Sequence, residues 1–512
     1  MLNKALLAAL SAISLLWQSP FVVANLPETS DFESKTLSRG DKPNIVIVVT
    51  DDQRWDQLGV VQREQGKDAR FPFLTTPRLD ALAEQGVRFR NAFVTTSLCS
   101  PSRAAILTGK YNHANGVINN RTPFPEQDTW ATALSEVGYD TVYVGKWHHG
   151  RQWERPGFNY TATYAGQGRY FDQAYRINGK STKSEGYTDQ TSVEFAIQYM
   201  EQQTEKPFAM MIGLKAPHQP FEPMPEHANL YADATITPPQ NLDAIPPWST
   251  LRYPKLPRTG PASKWWRNIT RSINGIDQNV GLLLDALDRL GLEENTLVIF
   301  TSDNGYALRE HRNGDKRTAY EESMRVPMIA RLPGVLPRGK LSDELVLNID
   351  IAPTVMSLAG VSVPDDVHGR SFLALAQGEE TAWRDGFLYQ YWQETFLRST
   401  AKWPSMLGLR TDTHKLVTYP EHENWTQLFD LRNDPFETQN LAGYASHAVL
   451  MRSLCKQMEE MAQEVGYTYK PTLNKWLTGI MPKSTQYTPF RYAQRKADCT
   501  ALSDRLTVAI SN

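Results

Sequence analysis

Cysteine is nearly missing from this chain of 512 residues, which has only Cys99, Cys455 and Cys499. So sparse and odd a set excludes a disulfide-stapled scaffold, and no His/Cys set suggests a zinc site. Net charge is missing too: the formal value is −2, which excludes a strong global field for nucleic acid or for an anionic membrane. Beyond the first residues there is no apolar run of membrane length, no internal repeat and no low-complexity tract. What remains is an ordinary globular balance, 41% apolar and 21% charged, with length for roughly two to four domains. The 13 Trp and 21 Tyr suit core packing or, in an exported protein, stacking on sugar rings.

The N-terminus is the one apolar exception. Met1–Lys4 carries a positive charge, Ala5–Trp17 is rich in Leu and Ala, and Val22-Val23-Ala24 offers small residues for cleavage. That layout predicts a signal peptide over 1–24, with an uncleaved anchor as the alternative; the run is short for a span. After cleavage the chain is expected to be soluble, secreted or periplasmic. Cys455 and Cys499 are then a candidate disulfide, leaving Cys99 single. A lone thiol in an oxidising compartment is either buried or chemically used.

Residues 25–42 are polar and patternless and read as a linker. Asn44–Val49 is a β-branched run suited to a strand buried on both faces, and it ends in Asp51-Asp52. Helical patterns follow at Pro77–Gln85, Ser102–Gly109, Trp130–Val137, Thr188–Glu201, Ile273–Leu290 and Asp350–Leu358. Strand patterns alternate with them at Thr141–Val144, Phe208–Gly213, Leu297–Thr301 and Met328–Arg331. The alternation predicts an α/β fold with a mostly parallel sheet covered on both faces. Pro-rich stretches at 217–225 and 238–261 read as long loops at its edge. After about residue 385 the pattern changes: Gly408–Tyr419 and Trp425–Leu431 read as antiparallel strands and Ala448–Val465 as a helix. The expected domains are therefore a catalytic unit over 43–385 and a smaller subdomain over 386–512. Asn120, Asn159, Asn268 and Asn424 open N-x-Thr sequons.

The segment Cys99-Ser100-Pro101-Ser102-Arg103, followed by Leu107-Thr108-Gly109, resembles the C-x-P-S-R…L-T-G signature of type I sulfatases. The resemblance implies an alkaline-phosphatase-like fold. It also implies that a maturation enzyme oxidises Cys99 to formylglycine (3-oxoalanine). The hydrated aldehyde is a geminal diol: one hydroxyl attacks sulfur, and deprotonation of the other releases sulfate, so no water need attack a hindered anion.

Asp51-Asp52 and Asp303-Asn304 both follow buried strands and flank the signature. Three carboxylates and one amide suit a hard cation, calcium better than magnesium. The family likeness implies the same four ligands, with the oxygen on residue 99 completing the shell. Lys146-Trp147-His148 is similar to the family's G-K-W-H, where the lysine contacts the hydrate and the histidine helps release sulfate. Ala216-Pro217-His218-Gln219-Pro220 resembles the A-P-H-x-P whose histidine protonates the leaving alcohol. Lys316, Tyr320-Glu321 and Arg325-Val326-Pro327 match K-x-x-x-Y-E…R-V-P, placing Lys316 on the sulfate. Arg103 would orient the nucleophile.

The resemblance runs from Asn44 to about Leu441, including Gln427–Leu431 with Asp434-Pro435 and Asn440-Leu441. Gly166-Gln167-Gly168 with Tyr170, and Tyr389–Trp392, look closest to carbohydrate sulfatases, among them enzymes for N-acetylglucosamine 6-sulfate and ulvan. His149 departs from the usual Leu, so His149, Arg151 and Trp153 are either a subsite for an acidic sugar or a polar loop. His311 and His414 are further substrate-site candidates. A phosphodiesterase or phosphonate hydrolase on the same scaffold is the main rival, although the hard-oxygen set argues against a two-zinc phosphatase. A non-catalytic glycan binder is a third reading, opposed by the filled catalytic positions.

Overall fold

The apolar run at 44–49 has two faces to bury, and both are buried. The computed structural model describes residues 42–150, 155–202, 206–248, 264–392, 394–395, 402–420 and 422–468. Strand β1 (Asn44–Thr50) lies inside a ten-stranded sheet. Ile45, Ile47 and Val49 enter one apolar cluster and Val46 and Val48 another, as the two-residue period of a strand requires.

Its companions are β2 (Val87–Phe93), β3 (Asp140–Lys146), β4 (Tyr160–Tyr164), β5 (Tyr175–Ile177), β6 (Lys180–Thr182), β7 (Phe208–Gly213), β8 (Thr296–Ser302), β9 (Met328–Arg331) and β10 (Lys340–Leu347). Their spatial order is β10-β2-β9-β8-β1-β7-β3-β4-β5-β6. The five central strands from β8 to β4 are mutually parallel. β9 runs against both neighbours, and a β5–β6 hairpin closes the far edge. Helices Cys99–Thr108, Trp130–Glu136 and Ile351–Leu358 bury residues in the first cluster; Pro77–Glu84, Thr188–Gln202 and Lys264–Arg289 bury theirs in the second. The sheet is therefore sandwiched by helices, as expected.

A second, antiparallel sheet is built from β11 (Gly386–Tyr391), β14 (Met406–Thr411), β15 (His414–Thr418) and β16 (Gln427–Asp430); β12 (Glu394–Thr395) and β13 (Lys402–Trp403) form a short ribbon between them. Its residues Phe387, Leu409, Leu416 and Leu428 share the first cluster with the main sheet, as do Met451 and Leu454 of the Ala448–Glu464 helix. The second sheet thus packs into the first of the main sheet's two clusters rather than around a core of its own.

Several bounds differ from the sequence reading. The stretch 408–419 is a hairpin broken at 412–413, and the Lys264–Arg289 helix begins nine residues before Ile273. The signature helix begins at Cys99 rather than Ser102, so the cysteine heads the helix instead of lying in a loop before it. The leader, most of the linker, Arg151, Trp153 and Cys499 lie outside the described residues; among those described, no helix is long and apolar enough to cross a membrane.

Candidate active site

β1 and β8 are neighbours in parallel register, Thr50 opposite Ser302, so the residues that follow them emerge side by side. The Asp52 backbone N–H donates to Asp303 Oδ1 at 3.2 Å, and Asn304 Nδ2 donates to Asp52 Oδ1 at 2.6 Å. Both strands end at the carboxyl edge of the sheet, where open α/β folds collect ligands.

β2 carries the chain up to the same edge, and the Cys99–Thr108 helix starts there. Its Leu98 N-cap offers no side-chain acceptor, so a distant one is used: Asn120 Oδ1 accepts the Ser100 N–H at 3.0 Å. Cys99 is fully buried, and its Sγ lies within 4.8 Å of carboxylate oxygens of Asp51, Asp52 and Asp303. Lys316 Nζ donates to Sγ at 2.8 Å and also pairs with Asp52. One helical turn on, Arg103 sends Nε to Asp303 Oδ2 at 2.8 Å and Nη1 to the Lys146 carbonyl at 2.9 Å.

β3 and β7 supply the other wall. Lys146, the last residue of β3, donates to Asp51 and to Gln167 Oε1. His148 is buried with its Nδ1 unpartnered. His218, in the loop after β7, points Nε2 at Asp52 Oδ2 across 3.8 Å and donates Nδ1–H to the Gln219 carbonyl at 2.8 Å. Asp52, His148 and Arg317 all hold positive φ, at 71°, 66° and 73°; strained non-glycine residues of this kind gather at functional sites.

Electrostatics follow from burial against charge. Burial pushes Asp51 up, but Lys146, His218 and Lys316 outweigh it and hold the carboxyl well below its ordinary range. Asp303 is pushed up to about 7 by burial and by Asp51. Burial, reinforced by Lys146, keeps His148 neutral, and burial also depresses His218. The Cys99 thiol is raised far above its usual range by burial despite Lys316. As a thiol it stays protonated and is a poor nucleophile.

Asp51 Oδ1, Asp52 Oδ2 and Asn304 Oδ1 are buried with no hydrogen-bond partner. Orphaned oxygens are costly inside a protein, and oxygens of this set, beside three clustered carboxylates, fit a hard divalent cation.

The remaining candidates go elsewhere. His149 is fully buried, its Nδ1 2.8 Å from Ser100 Oγ and its ring against Trp147 and Phe124. It supports the signature helix from beneath and does not face solvent. His311 stacks on Tyr320 at 3.6 Å and hydrogen-bonds Asn241 and the Ala244 carbonyl. With Glu322 and Glu437 it forms a separate buried cluster. His414 sits at the start of β15, its Nδ1 2.7 Å from Thr413 Oγ1, and is not a member of the cluster of Cys99 with the three carboxylates. Two neighbours of the site were not singled out from the sequence as site residues: Gln167, on Lys146, and the buried Lys215. Gln167 lies in the Gly166-Gln167-Gly168 stretch, which carried no site role of its own, and Lys215 lies in no motif; tertiary packing brings the two to the site.

The sheet, its edge and the carboxylate cluster define a hydrolase of the alkaline-phosphatase-like class. The Sulfatase family model matches residues 43–361, and that of the C-terminal part of N-sulphoglucosamine sulphohydrolase matches residues 309–464. The chain belongs to the sulfatase family and is a sulfuric ester hydrolase. It is 29% identical over 497 residues to an N-acetylglucosamine-6-O-sulfatase of Bacteroides thetaiotaomicron, covering 83% of this chain and 87% of that one. It is also 29% identical over 460 residues to an ulvan-active sulfatase of Formosa agariphila, covering 85% and 84%. A solved complex with D-glucosamine-2-N,6-O-disulfate, described as its substrate, superposes with a TM-score of 0.73 at 28% identity, over 83% of this chain and 98% of that one. A phosphonate monoester hydrolase of Agrobacterium radiobacter shares the fold at 21% identity, TM-score 0.69, over 83% and 96%.

Proposed function

We propose that this sulfatase is exported by its 1–24 leader and removes sulfate from sulfated sugars, as oligosaccharides or polysaccharides such as ulvan or N-acetylglucosamine 6-sulfate glycans. The observation that carries the mechanism is a cysteine sealed at a helix head within 4.8 Å of three carboxylates. Its thiol is too basic to attack as thiolate, which supports prior conversion by a maturation enzyme. As formylglycine, residue 99 supplies a geminal diol: one hydroxyl gives its proton to the neighbouring carboxylates as its oxygen bonds sulfur and the sulfur–alcohol bond breaks, and loss of the other hydroxyl's proton then re-forms the C=O and breaks the C–O bond to sulfate.

The other residues bind and move protons. Lys316 and Lys146 hold the sulfate oxygens. A bound sulfate anion offsets the burial that depresses His218, so that its Nε2 carries the proton given to the leaving alcohol oxygen, and neutral His148 accepts the proton of the second hydroxyl. Arg103 fixes Asp303 and the Lys146 backbone. Asp51, Asp52, Asp303 and Asn304 would hold one calcium ion, which supplies positive charge beside the diol and sulfate. The activities of the N-acetylglucosamine-6-O-sulfatase and the ulvan-active sulfatase that it resembles support a sugar substrate. The start of β11 at Gly386 supports a division into 43–385 and 386–512 by sheet pattern, between parts that share a core.

The test is sulfate release from defined sulfated saccharides, beside peptide mass spectrometry of residue 99. Activity should track the aldehyde fraction and vanish in Cys99→Ala. Full activity from protein carrying only the thiol, or faster cleavage of an aryl phosphodiester than of the matched sulfate, would sink this reading. Chelation should abolish turnover, with calcium restoring it better than magnesium; recovery with zinc alone would exclude the hard-cation assignment.

A further inference from the structure

The loop presenting His218 is held from several sides. Asp189, in the first turn of the Thr188–Gln202 helix, accepts the backbone N–H groups of Lys215 at 2.7 Å and Ala216 at 2.8 Å, one on each oxygen. Tyr170 donates its hydroxyl to the His218 carbonyl, and Gln219 Nε2 donates to the Tyr306 hydroxyl at 2.5 Å. The Lys215 side chain crosses between two loops. Its Nζ donates to the Gln167 carbonyl at 3.1 Å and the Gln219 carbonyl at 3.4 Å, and lies 4.7 Å from the centre of the Tyr170 ring.

Both carbonyls belong to residues that border the reacting group. The Gln219 carbonyl also accepts His218 Nδ1–H, and the Gln167 side chain accepts from Lys146. One ammonium, 1% exposed, therefore joins the imidazole on the leaving-group side to the lysine on the sulfate side. Burying a charged amine is costly, and here two carbonyls and an aromatic face compensate it without a hydrogen-bonded carboxylate.

We propose that Lys215 is a positioning residue for the leaving-group step: its ammonium ties the Gln167 loop to the His218 loop and sets the imidazole against the departing oxygen. The proposal rests on the assignment of His218 as proton donor. A misplacement of about 1 Å can cost roughly a hundredfold in rate. The loss should fall on basic leaving groups, because a good leaving group needs no proton.

The test uses matured enzyme with equal aldehyde content in each variant, assayed on substituted phenyl sulfates of graded leaving-group basicity. Wild type should show a shallow dependence of kcat/KM on basicity, and His218→Ala a steep one. Lys215→Met should steepen it likewise, losing about thirtyfold on phenyl sulfate and under about threefold on 4-nitrophenyl sulfate, with Lys215→Arg recovering part. If Lys215→Met does not fold, Lys215→Gln is read in the same way. Equal losses along the series, or none, overturn the proposal. A steepened Lys215→Met beside an unselective His218→Ala overturns it too, since the tie would then act through another group. Because aryl sulfates are the probes, failure of the sugar assignment shows separately, as no release from saccharides by wild type.

Discussion

Arg103 condenses the design of the site into one side chain. Fully buried, it spends Nε on Asp303 and Nη1 on the Lys146 carbonyl, so it neutralises a carboxylate and fixes the wall opposite. Removing one partner of a buried pair costs about 3–5 kcal/mol, because the other charge is stranded. Arg103→Met in chelated protein should therefore lower the unfolding free energy by about that much at pH 8. The deficit should shrink at pH 5, because Asp303 already sits near 7 and can take up a proton. A deficit independent of pH in urea titrations would mean that packing, not charge, is lost. At this scale the motif-borne residues were legible: Cys99, Arg103, Lys146, His218 and Lys316 converge as their local patterns implied. His149 was not, because nothing in a polar loop sequence distinguishes a ring facing sugar from one buried under a helix.

Between elements, the close approach of β3 and β7 is made by two glycines. Gly145 has φ +85°, and a Cβ there would lie 2.1 Å from the Gly213 carbonyl oxygen. A Cβ on Gly213 would meet the Lys146 carbonyl at 2.4 Å and Arg103 Nη1 at 2.7 Å. Gly213→Ala should thus push Arg103 off Lys146, costing about 1–3 kcal/mol of stability and more than tenfold in aryl sulfatase activity. Wild-type values in both assays would show that the strands can part at no cost. Strands β9, β8, β1, β7 and β3 could be read from their apolar runs because they are buried on both faces. The outer ones could not. β2 reads VRFRNAF, with a buried Arg88 that pairs with Glu64; β10 mixes charge with Leu because it lies at an edge. The helix start at Cys99 was also hidden, since its cap comes from Asn120 in a separate loop.

For the molecule as a whole, the second sheet grips the segment that carries Lys316. Glu321 takes Arg410 at 3.2 Å and Lys415 at 2.8 Å, and Lys415 also reaches Glu437 at 2.8 Å. Gln427 Nε2 donates to the Tyr320 hydroxyl at 2.9 Å. The sequence announced the second sheet but not this grip, in which Glu321 meets charges about ninety residues further along the chain. Next to it, burial, Glu310 and Glu437 push Glu322 up from 4.5 to about 8. The folded state then binds this proton more tightly than the unfolded chain. Its stabilisation is complete below about pH 4.5 and is lost as pH rises toward 8. Glu322→Gln should accordingly melt above wild type at pH 8, with the gap narrowing by pH 5; a constant gap would assign the effect to packing.

The sealing of residue 99 has a consequence for any batch of this protein. A modifying enzyme must draw a side chain into its own cleft, and the folded chain exposes none of Cys99. Under the conversion proposed above, folding would be a deadline: a molecule that collapsed first would keep its sulfur for as long as it stayed folded. Preparations from different hosts would then differ in the head-count of working molecules, not in how well each one works.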